Sequence, residues 1–272
     1  MNSNKQESWV PLLLVAFASF IITLDSTFMN VSISQLIIDL NSSLSTIQLI
    51  IVFYTLTTAS LMLVGSKLQD MAGRKRIFLL GALIYGIGAA IAALSRDSAM
   101  LFIGWSLLEG IGGALMTPAI ISIIIGTYEG GRRTFALSIA SAMGGIAAAI
   151  GPLFGGLVTT FLSWRYGFAF ELATILIIFI FSKNIRDFKP ANMRSFDLIG
   201  AILSIITLVM LVLGVLELKE NMILGIISII ISLALGACFA SYEMKLKDNG
   251  AAPLVATFTL SPTFSILRFD LS

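Results

Sequence analysis

The sequence has no histidine, one cysteine and little net charge, and each shortage excludes a class of protein. Histidine is the commonest metal ligand and the side chain most used for acid–base chemistry near pH 7. The lone Cys238 excludes an internal disulfide framework. A net charge of +2 is too small to indicate a nucleic-acid partner. Because no G-x-S-x-G motif occurs either, we predict a protein that is not an enzyme and uses no metal or cofactor.

Charged residues are scarce because apolar residues dominate the chain. Charged residues make up 12% and hydrophobic residues 57% of the 272 positions, and the mean hydropathy is +0.99. A soluble domain of this length could not cover so much apolar surface with polar side chains. Apolar runs of about 20 residues recur, and each is long enough to cross a bilayer core of about 30 Å. The sequence therefore predicts an all-α polytopic membrane protein.

The apolar runs predict eight membrane-spanning helices, and basic residues predict their orientation. The spans cover about residues 10–37, 45–66, 77–95, 99–125, 134–160, 164–182, 197–216 and 222–242. Cytoplasmic connections carry an excess of Lys and Arg, so we place the amino terminus in the cytoplasm. That choice leaves only Arg96, Arg165 and Lys219 outside. The cytoplasmic set is Lys5, Lys67, Arg74, Lys75, Arg76, Arg132, Arg133, Lys183, Arg186, Lys189, Arg194, Lys245 and Lys247. The first run is too long for a cleavable signal peptide.

One short stretch, "GSKLQDMAGRKR" at residues 65–76, concentrates charge between the second and third spans. A helix that ends there has unpaired carbonyl groups, and the next helix begins with unpaired amides. A glycine turn and charged side chains would satisfy both. The basic residues at 74–76 would also contact the anionic inner leaflet. We therefore predict a tight, cytoplasmic connection here.

Four stretches together resemble the major facilitator superfamily, and more narrowly its fourteen-span drug:proton antiporter branch. "LDSTFMNVSI" (24–33) resembles the L-D-x-T-x-x-N-V-A signature of span one. The stretch 65–76 resembles the loop motif G-x-L-x-D-R-x-G-R-K-x, with Ser66 and Met71 as departures. In span five, "AIGPLFGGLV" matches the antiporter motif G-P-x-x-G-G, and "SWRYGF" (163–168) matches the W-R that opens span six. These last two motifs supply Gly151, Pro152, Gly155, Gly156, Trp164 and Arg165. The similarity runs in register over about residues 12–265.

The resemblance implies one six-helix major-facilitator bundle plus two additional transmembrane helices. Residues 1–182 would form the amino-terminal bundle, 183–196 a cytoplasmic linker, 197–242 the two additional spans, and 243–272 a tail leading toward a missing second bundle. Alternating access needs two bundles that face each other. We therefore expect a truncated or half transporter, completed by a second half-transporter chain or by a second copy of itself. An inactive truncated protein and a membrane scaffold without transport remain the alternatives.

The resemblance also implies a function and roles for the motif residues. It implies a multi-pass protein of the cell membrane that exports lipophilic or cationic small molecules in exchange for protons. Asp70 would cap a helix of the second bundle, and Gly73 and Arg74 would shape the gating loop. A kink at Pro152 would seal the pathway against leak. The plainer alternatives are a topological anchor for the loop and a kinked packing helix for span five.

Three acidic residues lie within predicted spans, where charge is costly and is kept mainly for function. These are Asp25, Glu109 and Glu171, and no Lys or Arg lies at comparable depth in any span. An unpaired carboxyl group in a low-dielectric site favours its protonated form and can cycle between protonated and ionised states. Together with Asn30 of the span-one signature, these residues are our candidates for proton coupling or substrate binding.

Each acid has an alternative interpretation. Asp25 could make a helix–helix contact with Thr27 or Asn30. Glu109 occupies the Gln position of the family's R-x-x-Q-G motif, whose Arg is replaced here by Ser106. Glu171 lies about ten ångströms inside the outer face and could reach headgroup water. In the functional interpretation, an ionised acid would be the counter-charge for a cation held among aromatic side chains, which we expect to be Phe28, Phe168 and Phe170.

Overall fold

A computed structural model describes residues 8–186, 197–218 and 221–248 of the protein. In these ranges every regular element is a helix, and eight helices are long and apolar enough to cross a membrane. The elements are α1 (Val10–Val31), α2 (Ile33–Asp39), α3 (Leu44–Ala72), α4 (Arg74–Ala93), α5 (Ser98–Leu101), a π-helix (Phe102–Glu109), α6 (Gly110–Thr127), α7 (Gly130–Phe161), α8 (Arg165–Phe181), a 3-10 turn (Ser182–Asn184), α9 (Leu198–Glu217) and α10 (Met222–Asp248). The predicted all-α polytopic class is confirmed.

The first six spans form one bundle, and the last two form a hairpin beside it. α5, the π-helix and α6 are continuous and make the fourth span, Ser98–Thr127. α1 packs on α7, and the fourth span packs on α3 and α4. α9 pairs with α10 and also contacts α3. Most of the predicted linker, most of the tail, and the basic residues Lys5, Lys189, Arg194 and Lys219 lie outside the described residues.

The connection between the second and third spans is the predicted tight glycine turn, but the helices on either side of it extend further than predicted. α3 continues to Ala72 and α4 begins at Arg74, so only Gly73 joins them. The backbone of Gly73 has φ of 99°, and its N–H donates to the carbonyl of Gln69. Hydropathy ended the span near residue 66 because polar residues follow. These residues are helical nonetheless, and Lys67 and Gln69 are buried.

Replacing Gly73 with alanine is expected to destabilise the protein by about 1–3 kcal/mol, because a side chain at this φ strains the backbone. Gly131, near the start of α7, is the matched control, since a Cβ there would meet no atom within 4 Å. Gly131→Ala should leave stability unchanged or slightly raised. Thermal unfolding in detergent measures both variants. Equal melting temperatures would contradict the strained-turn interpretation.

Two apolar clusters fill the bundle, one nearer each end. The first includes Phe78, Tyr85 and Met116, and the second includes Trp105 and Phe168. Close helix contact is possible because glycines line the seam between α4 and the fourth span. A Cβ on Gly112 would lie 2.6 Å from the backbone nitrogen of Tyr85. This close approach brings side chains of both spans to the centre of the bundle.

Candidate functional site

Three carboxyl groups meet inside the bundle, between the two apolar clusters. Asp25 lies on α1, Glu109 is the last residue of the π-helix, and Glu171 lies on α8. Their side chains are 0%, 0% and 1% exposed. One carboxyl oxygen from each lies within 4.8 Å of the others. The sequence indicated these residues one by one, and the structure brings them together as a carboxylate cluster.

Two aromatic side chains donate hydrogen bonds to the carboxylate cluster. The indole N–H of Trp105 donates to Oδ2 of Asp25 at 2.8 Å, and the hydroxyl of Tyr85 donates to Oε2 of Glu171 at 3.4 Å. Both oxygens of Glu109 and Oδ1 of Asp25 are buried without a hydrogen-bond partner. The cluster therefore has fewer donors than carboxyl oxygens.

No basic side chain neutralises the carboxylate cluster within the part of the chain that the structure describes. Its hydrogen bonds come from Trp105 and Tyr85, and no lysine or arginine is ion-paired with it. Two unit charges 4.8 Å apart repel each other by about 3.5 kcal/mol at an effective dielectric constant of 20. Ionising all three groups together would therefore be costly.

The spacing of the carboxylate cluster would admit a small metal ion, but its oxygens fit one poorly. Calcium takes six to eight oxygen ligands, and magnesium requires a near-octahedral set. Trp105 and Tyr85 each donate to one of the six carboxyl oxygens, so four remain. Tryptophan offers no acceptor atom to a metal. The described residues therefore offer fewer free oxygen ligands than either ion prefers.

Asn30, the fourth predicted coupling residue, does not belong to the cluster. Its side chain is exposed, and its amide donates to the carbonyl of Ser26 at 2.7 Å. The alternative contacts of Asp25 with Thr27 or Asn30 do not form, because the Thr27 hydroxyl donates to backbone carbonyls of its own helix. Glu171 is buried, so it does not reach headgroup water in this structure.

The aromatic residues expected to line a cavity are divided between the core and the surface. Phe28 and Phe168 are buried and pack edge to face with ring centroids 6.5 Å apart. Phe170 is 40% exposed and contacts Phe154 instead. Phe154 also packs against Phe28, with ring centroids 6.1 Å apart, and the aromatic-lined cavity stays a prediction. Helical period places Phe168 and Phe170 on different faces of α8.

The motif loop residues lie where α3, α4 and α6 meet. Asp70 is exposed near the end of α3. The guanidinium of Arg74 donates to the carbonyl of Ser122, on α6, at 2.9 Å. Because Gly73 makes the turn, this bond fixes the start of the third span against the fourth span.

The antiporter motif occupies the middle of α7, which continues through Pro152 as a single helix. Gly151 and Gly155 face α1, where added Cβ atoms would collide with Thr27 and Phe28. Gly156 faces no neighbour within 4 Å, and Pro152 is exposed. The motif therefore divides into a face that packs within the bundle and a face that is uncovered in it.

Trp164 and Arg165 join the ends of four spans on the side opposite Gly73. The indole N–H of Trp164 donates to Asp39 at 2.9 Å, and Arg165 forms an ion pair with the same carboxylate at 3.4 Å. Arg165 also donates to the carbonyl of Ser95 at 2.8 Å and lies over the ring of Trp164. These contacts give the W-R motif a structural role in this bundle.

Residues around the carboxylate cluster that the sequence analysis missed include Tyr54, Tyr85 and Trp105. Trp105 stacks on Tyr54 with ring centroids 5.4 Å apart. Membrane tyrosines and tryptophans usually lie at the interface, where their polar tips meet water. Their positions deep within apolar runs were therefore a usable signal. The π-helix had no sequence signal of this kind, although such segments are frequent at functional sites.

A separate cleft of about 180 Å³ opens between α1, α6 and α7. Its polar lining consists of the hydroxyl groups of Ser19, Thr23, Thr117 and Ser141, and its other lining residues are apolar. Thr23 and Thr117 donate their protons to carbonyls of their own helices. Each of these hydroxyl oxygens keeps a lone pair that can accept a further hydrogen bond.

The chain is similar in sequence to a family of membrane transporters. The family model of the Major Facilitator Superfamily matches residues 15–272. The chain is 28% identical over 251 residues to a puromycin resistance protein of Streptomyces alboniger, covering 88% of this chain and 48% of that protein. It is 31% identical over 224 residues to a cephamycin export protein of Amycolatopsis lactamdurans, covering 81% and 46%. The chain spans about half the length of the curated relatives it matches.

A solved transporter shows the same helical fold. The POT family transporter PepTSo aligns with a TM-score of 0.61 at 15% identity, over 91% of this chain and 55% of that one. At this identity the likeness concerns the fold alone. The match again covers about half of the larger protein.

Proposed function

Because the chain belongs to the major facilitator superfamily, we propose that it forms one bundle of a proton-coupled exporter of hydrophobic or cationic small molecules. The observation that carries this proposal is the carboxylate cluster of Asp25, Glu109 and Glu171. Buried acids without basic partners are costly in a membrane and mark ion pathways. A protein that needed only packing would gain stability by replacing them with apolar residues.

The proposed mechanism uses protonation to change the charge of the bundle interior. When a carboxyl group of the cluster releases its proton, the site becomes anionic, and Trp105 and Tyr85 stabilise that charge by hydrogen bonds. When the group takes up a proton from the other side of the membrane, the site is neutral again. Inward movement of protons can drive outward movement of substrate if the bundle binds either a proton or a substrate molecule, but not both at once.

Alternating access requires a second wall opposite this bundle. We propose that a second six-span bundle supplies it, from further sequence of the same polypeptide, from a separate chain or from a second copy. Asp70 is exposed beside the Gly73 turn and is available to a helix of that bundle. Pro152 and Gly156 face outward on α7 and would contact it. In this arrangement Gly73 and Arg74 hold the gating loop, and the amino terminus lies in the cytoplasm of a cell-membrane protein.

The cleft between α1, α6 and α7 favours hydrophobic substrates. Among the described residues, apolar and hydroxyl-bearing side chains line it, and no charged side chain does so. Such a surface binds apolar molecules that can donate a hydrogen bond. The carboxylate cluster is closed off from the cleft by burial, so a cationic substrate would feel its charge at a distance rather than through a direct contact.

Proton movement coupled to substrate tests the proposed function. In vesicles that contain the protein and a pH indicator, a fluorescent lipophilic substrate should collapse an imposed proton gradient and be transported. The triple variant Asp25→Asn, Glu109→Gln, Glu171→Gln should behave like empty vesicles, because none of its cluster side chains can exchange a proton. Asp97→Asn is the matched control, since Asp97 is exposed and caps α5, a role that Asn fills equally well.

Two outcomes would reject the proposal. Gradient-independent equilibration that survives in the triple variant would indicate facilitated diffusion without proton coupling. A folded protein that moves neither substrate nor protons, alone or with a second bundle supplied in trans, would indicate a membrane scaffold.

A further inference from the structure

Trp105 is the largest buried side chain beside the carboxylate cluster, and the mechanism above does not require a tryptophan there. It is 0% exposed. Its indole N–H is directed at Oδ2 of Asp25, with a nitrogen–oxygen distance of 2.8 Å. A tryptophan elsewhere in a membrane helix would place this polar group at the interface. Its presence here therefore needs a reason other than hydrophobic packing.

Aromatic packing fixes the position of this N–H. The Trp105 ring stacks on Tyr54 with an interplanar angle of 22°, and it meets Phe168 edge to face at 6.2 Å. The ring therefore has little freedom to rotate away from Asp25. A hydrogen bond held in this way does not reorganise when the charge of its acceptor changes.

One span supplies two members of the site, and both lie in the π-helix. Trp105 and Glu109 both belong to this segment, Phe102–Glu109. A π-helix has hydrogen bonds from i to i+5, so it holds more residues per turn than an α-helix. Trp105 and Glu109 are four residues apart and lie on the same face of the span, Trp105 bonded to Asp25 and Glu109 beside the other carboxyl groups.

We propose that Trp105 is a positioning residue that makes Asp25 the member of the cluster that ionises first. An indole N–H can only donate, so it bonds well to a carboxylate and poorly to a protonated carboxyl group that presents its own donor. Both oxygens of Glu109 have no hydrogen-bond partner. Glu171 accepts only the longer bond from the Tyr85 hydroxyl, at 3.4 Å, so Asp25 accepts the shortest hydrogen bond that favours a charged form. The role of Trp105 in transport rests on the proposed proton coupling. The hydrogen bond between Trp105 and Asp25 can be tested without transport.

The transport test compares two tryptophan substitutions that each remove one indole N–H from an aspartate. Trp105→Phe keeps an aromatic ring but removes the bond to Asp25. The pH of half-maximal export should rise by about one unit, because the ionised carboxylate loses a charge-assisted hydrogen bond. The KM for substrate should change less than twofold. Trp164→Phe removes the similar bond to Asp39, outside the cluster, and should leave the pH profile unchanged.

Fluorescence tests the same inference without any transport. The sequence has three tryptophans, so Trp9→Phe with Trp164→Phe leaves Trp105 as the single emitter. Its emission should follow a pH titration that disappears on Asp25→Asn and persists on Asp97→Asn. If the single-tryptophan protein does not fold, the difference between the wild type and Asp25→Asn gives the same signal.

The outcomes separate the two proposals. Proton-coupled export with an unchanged pH profile in Trp105→Phe would overturn the role of Trp105 and leave the proposed function intact. In a protein without proton coupling, Trp105 emission could still follow a pH titration that depends on Asp25. That result would overturn the proposed function and support the hydrogen bond between Trp105 and Asp25. Absence of any Asp25-dependent titration would overturn the inference.

Discussion

Glu109→Leu is expected to raise the melting temperature of the protein in detergent and to reduce proton-coupled export at least tenfold. Both carboxyl oxygens of Glu109 are buried without a hydrogen-bond partner. Leaving a polar group unpaired in an apolar site costs about 1–3 kcal/mol, which leucine avoids at a similar volume. The same change removes one of three proton-binding groups and the repulsion that it exerts on its neighbours. Stability and transport should therefore change in opposite directions.

Glu109→Gln separates the effect of charge from that of polarity. Glutamine keeps the shape and a buried polar group, so it should not stabilise the protein as leucine does, although it also cannot exchange a proton. Glu129→Gln serves as the control, because Glu129 is exposed at the start of α7. Thermal unfolding and substrate-driven proton flux measured on the same preparations give both quantities. A leucine variant that is less stable than the wild type would show that Glu109 has a structural role that its contacts do not reveal.

Gly155→Ala is expected to lower the free energy of unfolding by about 1–3 kcal/mol, and so to reduce the amount of folded protein strongly. A Cβ at this position would lie 2.8 Å from the carbonyl oxygen of Phe28 and 2.6 Å from a methyl carbon of Val31. Because the carbonyl belongs to the backbone of α1, rotation of a side chain cannot relieve the contact. The two helices would have to move apart along their whole interface, which includes the segment that carries Asp25.

The next residue in the sequence provides the matched control. Gly156→Ala adds the same methyl group to the same helix, but no atom lies within 4 Å of the added carbon. Alanine also has the higher helix propensity, by about 1 kcal/mol. Size-exclusion profiles and melting temperatures in detergent should therefore distinguish two glycines that the sequence motif treats alike. Equal destabilisation by both substitutions would show that the packing of α7 on α1 does not depend on Gly155.

Sequence reasoning predicted the number of spans because burial in a bilayer demands long apolar runs, and such runs are visible residue by residue. It also identified the three acids, since each one interrupts such a run. It predicted the glycine turn at 65–76 but ended α3 too early, because hydropathy detects where hydrocarbon ends, while the helix continues into the polar region as far as Ala72. The length of a helix depends on its backbone hydrogen bonds, whereas hydropathy reports only the part of the helix that lies in hydrocarbon.

What the sequence could not show is which acids meet. Asp25 and Asn30 lie on the same helix and in the same motif, yet one is buried in the cluster and the other is exposed. The difference comes from the rotation of α1 against α7, whose close contact Gly151 and Gly155 permit.

By itself, then, the sequence determined a helical membrane protein with isolated acids in its first, fourth and sixth spans. The tertiary structure alone decided that those acids share one site and that Trp105 and Tyr85 are their donors. The physical reason is that hydropathy depends on composition along one chain segment. The meeting of side chains depends instead on the rotation and close approach of several helices, which packing between distant residues sets.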